Sequence, residues 1–242
     1  MVPGLGQDTP AETEVYANWV PNTYTFNLED SSGTLNEGTT VSVPYNTIAT
    51  LPTCERDNYT FKGWFVKFDG INGIQLGRDY MYDDAISIYF RAYSEDWSDT
   101  TSRRLISCTE TGGWAIGRNA TGWYAEAYDG GTSSYKTTYL DDDSILTPGF
   151  HDFNLVFAGT GTPLKLYIDG VERITSANFT GNIKYRVLTT SINEIWLGNE
   201  SAAFNHIGNF PFKNGYIGNL VINHNSSLVD STYAQTHFMV PC

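Results

Sequence analysis

Hydrophobic and polar positions alternate most regularly in two neighbouring runs near the middle of the chain. The first run has apolar residues at 153, 155 and 157, and the second has them at 164, 166 and 168. A Gly- and Thr-rich break at 158–163 separates the runs, and Asp169-Gly170 ends the second. A period of two interrupted by turn residues predicts a β-hairpin with one buried and one solvated face.

Similar runs recur at regular spacing from about Asp83 onward, with turn residues between them. They predict strands at 85–93, 104–108, 114–118, 123–128, 136–140, 151–157, 164–168, 195–198 and 215–222. The chain has no long segment of helical periodicity, and its many aromatic and glycine residues favour strands and tight turns. The pattern therefore predicts an all-β chain built as an antiparallel β-sandwich.

Several of these strands resemble the laminin-G-like, or concanavalin A-like, jelly roll. The strings that carry the resemblance are, in chain order, SIYFRAY, RLISC, GGWAIGR, LYIDGV, EIWLGN and GYIGNLVIN. The resemblance implies an antiparallel jelly-roll β-sandwich over residues 83–242.

The segment at 12–80 resembles a different family. VYANWVPN followed by YTFNL and later YTFKGWF is similar to the Listeria–Bacteroides surface repeat of the internalin B-repeat type, a small β-grasp-like module. The resemblance implies a repeat-type spacer at 12–80, with 12–20 as the last strand of a preceding copy. Tyr59, Phe61 and Phe65 share one strand face there and predict a small aromatic core. The strand at 85–93 stands where a family copy would close, so it belongs either to the repeat or to the jelly roll.

The N-terminal residues 1–11 contain Gly, Pro and Thr without periodicity, which predicts a flexible leader. Three widely spaced cysteines, Cys54, Cys108 and Cys242, do not form a disulfide framework. The sequence leaves open whether two of these three cysteines form one disulfide bridge. Cys108 lies in an apolar strand, where a buried and inert thiol is expected.

Net charge excludes several classes of partner. The chain has 242 residues and a formal charge of -13, with only 14 Lys and Arg, which are scattered. Nucleic acid and anionic membrane surfaces need clustered cations, so neither is expected as a partner. No apolar run has the length of a membrane span, so we expect no membrane insertion. Such acidity suits a secreted or surface protein that must stay soluble.

Catalytic motifs are missing from the sequence. The E-x-D-x-x-E string of concanavalin A-like hydrolases does not occur, and its nearest counterpart, Glu194 and Glu200, lacks the middle acid. The four histidines have no metal-binding spacing, and no nucleophile elbow or P-loop occurs. We therefore predict that the chain is not an enzyme, with glycoside hydrolysis as the minor alternative.

One acidic loop is a candidate cation site. Asp141, Asp142 and Asp143 are consecutive and precede Pro148. Calcium takes carboxylate oxygens from loops, so these residues are the candidate calcium ligands, with a solvated acidic turn as the alternative.

Loop aromatics beside polar residues are candidates for binding sugar rings, whose apolar faces stack on aromatic side chains. The segment at 199–214 is long for a hairpin connection, and long loops often carry function. The candidate ligand-binding residues are Trp97, Trp123, Tyr124, Tyr135, Phe204, Asn205 and His206. The alternative for each is a structural role, because aromatic residues at strand edges commonly pack inward.

Together these observations predict a non-catalytic adhesion or recognition module. Its expected partner is a glycan or a cell-wall or surface polymer, and its expected location is extracellular, on a bacterial surface or on a phage virion. The alternative is a structural, decoration or protein-binding module of a phage particle, for which homo-oligomers or assembly partners are expected.

Overall fold

The structure is a computed structural model that describes residues 22–28, 34–35, 40–44, 51–52, 54–61, 63–71, 73–109, 112–185, 194–202, 206–207 and 210–229. The predicted leader at 1–11, the predicted strand at 12–20, Phe204, Asn205 and Cys242 lie outside these residues. The strands, in chain order, are β1 Thr23–Asn27, β2 Thr34–Leu35, β3 Thr40–Pro44, β4 Cys54–Glu55, β5 Phe65–Asp69, β6 Ile74–Gly77, β7 Ile86–Ser94, β8 Arg103–Ser107, β9 Trp114–Arg118, β10 Trp123–Asp129, β11 Ser134–Tyr139, β12 Gly149–Phe157, β13 Leu164–Ile168, β14 Val171–Thr175, β15 Ile195–Leu197, β16 Ser201–Ala202, β17 His206–Ile207 and β18 Lys213–Asn223.

Two six-stranded antiparallel sheets form the body of the described chain. The first sheet has the order β11-β10-β9-β8-β15-β6, and the second has the order β14-β13-β12-β7-β18-β5. A short 3₁₀ helix, Asp143–Ile145, lies between β11 and β12. The predicted all-β class and antiparallel jelly-roll β-sandwich are confirmed.

The predicted central hairpin is present in the predicted register. Phe153 pairs with Ile168 and Phe157 pairs with Leu164 between β12 and β13. The inward side chains of both strands are buried, as the alternation requires. The strand β14, which follows the Asp169-Gly170 turn, was not among the predicted strands.

Strand β7 shows how the two faces of the second sheet differ. Its inward residues are apolar and buried, and Phe90 stacks on Phe153 at 5.1 Å between ring centroids. Its outward residues are Ser87, Tyr89, Arg91 and Tyr93. The strand lies between β12 and β18, which places it inside the sandwich rather than at the end of the repeat segment.

Two strands of the segment predicted as a repeat pair with the sandwich. β5 pairs with β18 at the edge of the second sheet, and β6 pairs with β15 at the edge of the first. Phe68 on β5 and Leu76 on β6 are buried in the common core. Gly198, at φ +73°, lies against the Phe68 ring so closely that a Cβ there would be 2.1 Å from it. Small separate ladders join β1 to β3 and β2 to β4.

Cys54 is partly buried and Cys108 is fully buried. Both are in the thiol form, and burial raises the pKa of the Cys108 thiol far above its ordinary value. Cys108 is thus a core residue.

Among the described residues there is no helix of the length and apolarity that crossing a membrane requires.

Candidate functional site

Three of the predicted sugar-stacking residues are buried, Trp97 and Trp123 in the core and Tyr124 under Arg104 on the outer face of the first sheet. Trp97 is 1% exposed, and Trp123 and Tyr124 are each 2% exposed. The Trp97 indole donates its N–H to the carbonyl of Gly149 at 3.0 Å, and the Trp123 indole donates to the carbonyl of Trp97 at 2.9 Å. Because all three rings are enclosed, and both indole N–H groups are bonded internally, these side chains have no free face for a ligand.

The other predicted aromatic and loop residues are distributed differently. Tyr135 is partly exposed, but its hydroxyl donates to the carbonyl of Thr109 at 2.5 Å and accepts from the amide of Gly112 at 2.8 Å. The Tyr135 side chain therefore connects β11 to the backbone at Thr109 and Gly112 through hydrogen bonds. The backbone of His206 belongs to β17, and its side chain, like Phe204 and Asn205, lies outside what the structure describes.

Two of the three predicted calcium ligands bond to separate partners within the protein. Asp142 caps the 3₁₀ helix by accepting from the amide of Ser144 at 2.9 Å. Asp143 forms an ion pair with Arg118. Asp141 is exposed beside them. The described part of the chain contains no group of three or more acidic, His or Cys side chains placed to hold a metal ion.

The outer face of the second sheet instead brings together side chains that are far apart in sequence. Strand register aligns Tyr216, Tyr93 and Phe150 in one row across β18, β7 and β12. The next row contains Gly218, Arg91 and Asp152. A third row contains Tyr89, Asn154 and Tyr167.

Four aromatic rings on this face, Phe65, Tyr93, Phe150 and Tyr216, form what we term the aromatic platform. Ring centroids are 4.9 Å apart for Phe65 and Phe150, 5.0 Å for Tyr93 and Phe150, and 5.7 Å for Tyr93 and Tyr216. Phe150 is 43% exposed and Tyr216 is 36% exposed. These are the distances of interacting aromatic pairs, so the rings support one another while remaining open to solvent.

Gly218 allows the fourth ring to join the platform. A Cβ at this position would lie 2.7 Å from Cδ1 of Phe65 and 2.3 Å from the carbonyl of Trp64. The absence of a side chain therefore lets the edge strand β5 place its aromatic ring against β18.

A polar groove adjoins the platform. It has a volume of about 270 Å³. We define the polar groove by Tyr89, Asp152, Asn154, Tyr167 and Asp169, all of which line it.

Hydrogen bonds organise the floor of the groove. The Tyr89 hydroxyl donates to Asp152 at 3.0 Å, and burial followed by the nearby Asp152 charge raises the pKa of Tyr89. Asn154 donates to the carbonyl of Val229 at 3.3 Å. The Tyr89 phenol thus stays neutral and holds the Asp152 carboxylate in place.

Charged groups border both the platform and the groove. Arg91 lies 5.2 Å from the centroid of Phe150 and 3.7 Å from the Asp152 carboxylate. One Asp169 oxygen accepts from the amide of Asp152 at 2.9 Å, and the other lies 2.6 Å from Nδ1 of His151. Asp152 thus connects the two parts of the site.

Sequence reasoning missed the platform, although part of its signal is visible. The alternation in β7 places Tyr89, Arg91 and Tyr93 on one outward face, and an outward pair of tyrosines beside an arginine is unusual for a solvated face. The register that brings Phe150 and Tyr216 beside Tyr93 has no local sequence signal.

A second charged cluster lies on the outer face of the first sheet. Arg104 approaches Glu126 at 3.7 Å and Glu200 at 3.4 Å. Its guanidinium also lies 4.9 Å from the centroid of the Tyr124 ring and 5.0 Å from that of Phe210. Burial raises the pKa of Glu126, and Arg104 acts in the opposite direction. Glu194, the other acid considered from sequence, bonds to Gln75 instead.

The Glu126 carboxyl leads to a prediction about stability and pH. Its folded-state pKa is raised, so the wild-type protein loses stability as pH rises from the ordinary carboxyl range through that raised value. Glu126→Gln carries no charge to desolvate, so we expect its stability relative to wild type to increase between about pH 4 and about pH 7. Urea unfolding at both pH values measures the change.

Glu172→Gln is the control with the opposite sign. Hydrogen bonds from Lys165, Thr175 and Tyr167 lower the pKa of Glu172 to about 2. Its stabilising effect is fully present above the ordinary carboxyl pKa and is lost as pH falls from there through about 2. Glu172→Gln should therefore lose stability relative to wild type between about pH 4 and about pH 7. If Glu126→Gln lost stability relative to wild type as pH rises, the raised pKa of Glu126 would be contradicted.

No protein-family model matches the chain, and a search of curated proteins gives no match. Similar solved structures are found at low sequence identity. Domains LG4-5 of the mouse laminin alpha1 chain are 12% identical with a TM-score of 0.48, over 78% of this chain and 49% of that chain. The receptor binding domain of botulinum neurotoxin D is 14% identical with a TM-score of 0.47, over 88% and 46%. A native heptameric SAP-like pentraxin from Limulus polyphemus is 12% identical with a TM-score of 0.45, over 70% and 79%.

The chain spans about half the length of the laminin and neurotoxin chains. At these identities and scores the similarities carry no argument about what this chain binds. The functional argument therefore depends on its own residues.

Proposed function

We propose that the chain is a non-catalytic recognition module that binds a glycan on the outer face of its second sheet. The observation that carries the proposal is the aromatic platform, four rings linked by three pair contacts, two of them exposed to solvent, beside the polar groove. Sugar rings present apolar C–H faces that stack on aromatic side chains, while their hydroxyl groups need hydrogen-bonding partners at the edge. The platform and the groove supply both kinds of contact side by side.

The dimensions of the face favour an oligosaccharide over a single sugar. Tyr93 and Tyr89 lie on one strand four residues apart, which corresponds to about 13 Å along the sheet. The Arg91 and Asp152 row lies between them. A ligand that stacks on the platform can thus continue into the groove.

A rigid sheet suits this role better than a loop would. The platform residues Tyr93, Phe150 and Tyr216 lie on three adjacent strands whose ladders fix their spacing. Little conformational freedom is then lost on binding, which leaves more of the contact energy for affinity.

The biological setting is also a proposal. The excess of acidic residues and the resemblance of residues 12–80 to a surface repeat support an extracellular module, displayed on a bacterial surface or a phage virion. In that arrangement the part of this segment that precedes β5 would project the sandwich. A structural or protein-binding module of a phage particle is the competing function, and it requires no sugar binding.

The test is a screen of the full chain on a glycan array, followed by calorimetry on each binder with Phe150→Ala/Tyr216→Ala. Each aromatic contact is worth about 0.5–1.5 kcal/mol, so the double variant should bind roughly 5- to 100-fold more weakly. Tyr59→Ala, which removes an exposed aromatic ring outside the platform, is the matched control and should bind like wild type.

Two results would oppose the proposal. A chain that binds no glycan on the array favours the structural or protein-binding function. Binding that survives in the double variant but falls in the Tyr59 control would place the site elsewhere.

A further inference from the structure

We infer that this site selects neutral, hydroxyl-rich glycans and discriminates against glycans that carry carboxylate or sulfate groups. The inference rests on the proposed function and goes beyond it by specifying the charge of the ligand. It follows from the carboxylates that line the groove and from the pairing of the cations that border it.

The two cations that border the groove, Arg91 and Lys165, are already engaged, whereas the exposed Lys67 lies beside Tyr216 at the β5 edge of the platform, away from the groove. Arg91 lies 3.7 Å from the Asp152 carboxylate, and its guanidinium lies over the ring of Phe150. Lys165, on the outward side of β13, lies 2.8 Å from Glu172. An anionic sugar would have to displace a carboxylate from one of these cations before it could pair with it, so little net attraction is available.

The His151 ring beside the groove cannot reach a ligand. His151 is buried, and its two ring nitrogens lie 2.6 Å from Asp169 and 2.9 Å from the carbonyl of Thr147. Both ring nitrogens therefore face groups of the protein itself.

Carboxylate oxygens, by contrast, face the groove. Asp152 and Asp169 both line it, and the Asp169 side chain is half exposed. Ionised carboxylates accept hydrogen bonds from sugar hydroxyls, and charge-assisted bonds of this kind are strong. The same charges repel a uronate or a sulfate, and like-charge juxtaposition across an interface is a means of rejecting a ligand.

The experiment uses pairs of sugars that differ at C6 of each unit, where the neutral sugar has a hydroxymethyl group and the uronate has a carboxylate. Mannohexaose is compared with hexamannuronate, and galactohexaose with hexagalacturonate, by calorimetry on the full chain. We expect each neutral sugar that binds to bind at least about tenfold more tightly than its uronate, and its affinity to be unchanged between about 20 mM and about 500 mM NaCl.

Substitution of the acids tests the cause of this preference. In Asp152→Asn/Asp169→Asn the repulsion is removed, so the neutral-to-uronate ratio should fall by about tenfold or more. Glu95→Gln, an exposed acid outside the platform and groove, is the control that changes charge elsewhere and should leave the ratio unchanged.

The outcomes separate this inference from the proposed function. Uronates that bind as tightly as their neutral partners, with binding lost in Phe150→Ala/Tyr216→Ala, would overturn the charge selection while the glycan site stands. An unchanged ratio in the double Asn variant would also overturn it. Absence of binding to every sugar in both pairs and on the array would overturn the proposed function together with this inference.

Discussion

Trp97→Ala is expected to lower the free energy of unfolding by about 4 kcal/mol, or to prevent stable folding. The indole is fully buried and contacts Trp123, His151, Phe153 and Phe212. Removing it leaves a large cavity and an unpaired carbonyl at Gly149, and both effects destabilise the folded state. Urea unfolding monitored by circular dichroism measures the change.

Tyr216→Ala is the matched comparison, because it removes an aromatic ring from the surface. Its stability should stay within about 1 kcal/mol of wild type. Trp97 would have to be reconsidered as a ligand-binding residue if Trp97→Ala had wild-type stability and had lost affinity for a glycan.

Removing residues 1–82 is expected to abolish cooperative folding of the sandwich, whereas a chain that begins at Gly63 should fold. The shorter fragment lacks β5 and β6, the edge strands that pair with β18 and β15. It also lacks Phe68 and Leu76, which are buried in the core. Loss of each such side chain costs about 2–5 kcal/mol, against a total stability of about 5–15 kcal/mol for a typical domain.

The readout for both fragments is thermal unfolding together with the dispersion of their amide NMR spectra. Phe68→Ala in the full chain is the milder version of the same test and should destabilise the sandwich, because the ring packs against Gly198 and Phe212. If the fragment from 83 unfolded with the same free energy as the longer one, residues 63–82 would be dispensable and the predicted boundary near 80 would be a true domain boundary.

The fold could be predicted from sequence where period-two alternation is strong. The β12–β13 hairpin and the outward and inward faces of β7 follow from local pattern alone. β5 and β6 could not be assigned by that means, because the aromatic residues of β5 and the apolar residues of β6 fit a small repeat core equally well. Only their pairing with C-terminal strands, distant in sequence, distinguishes the two assignments.

The candidate site was less predictable for a related reason. Trp97 lies between Asp96 and Ser98 in an acidic turn, which resembles an exposed loop aromatic, yet the turn folds its indole into the core. Phe150 and Tyr216 occur in unremarkable strands. Their role depends on register across β12, β7 and β18, and tertiary pairing of this kind has no signature in a single sequence.

The position of β18 has a consequence for how the chain is made. This strand completes the second sheet between β7 and β5, although both are synthesised long before it. Bringing such distant segments together is slow compared with local hairpin formation, because the loop-closure entropy is lost before the contacts are gained. A nascent chain on the ribosome must therefore wait for Lys213–Asn223 to emerge before the sandwich can close. Tyr216 arrives with that strand, so the aromatic platform is among the last parts of the sheet to be assembled.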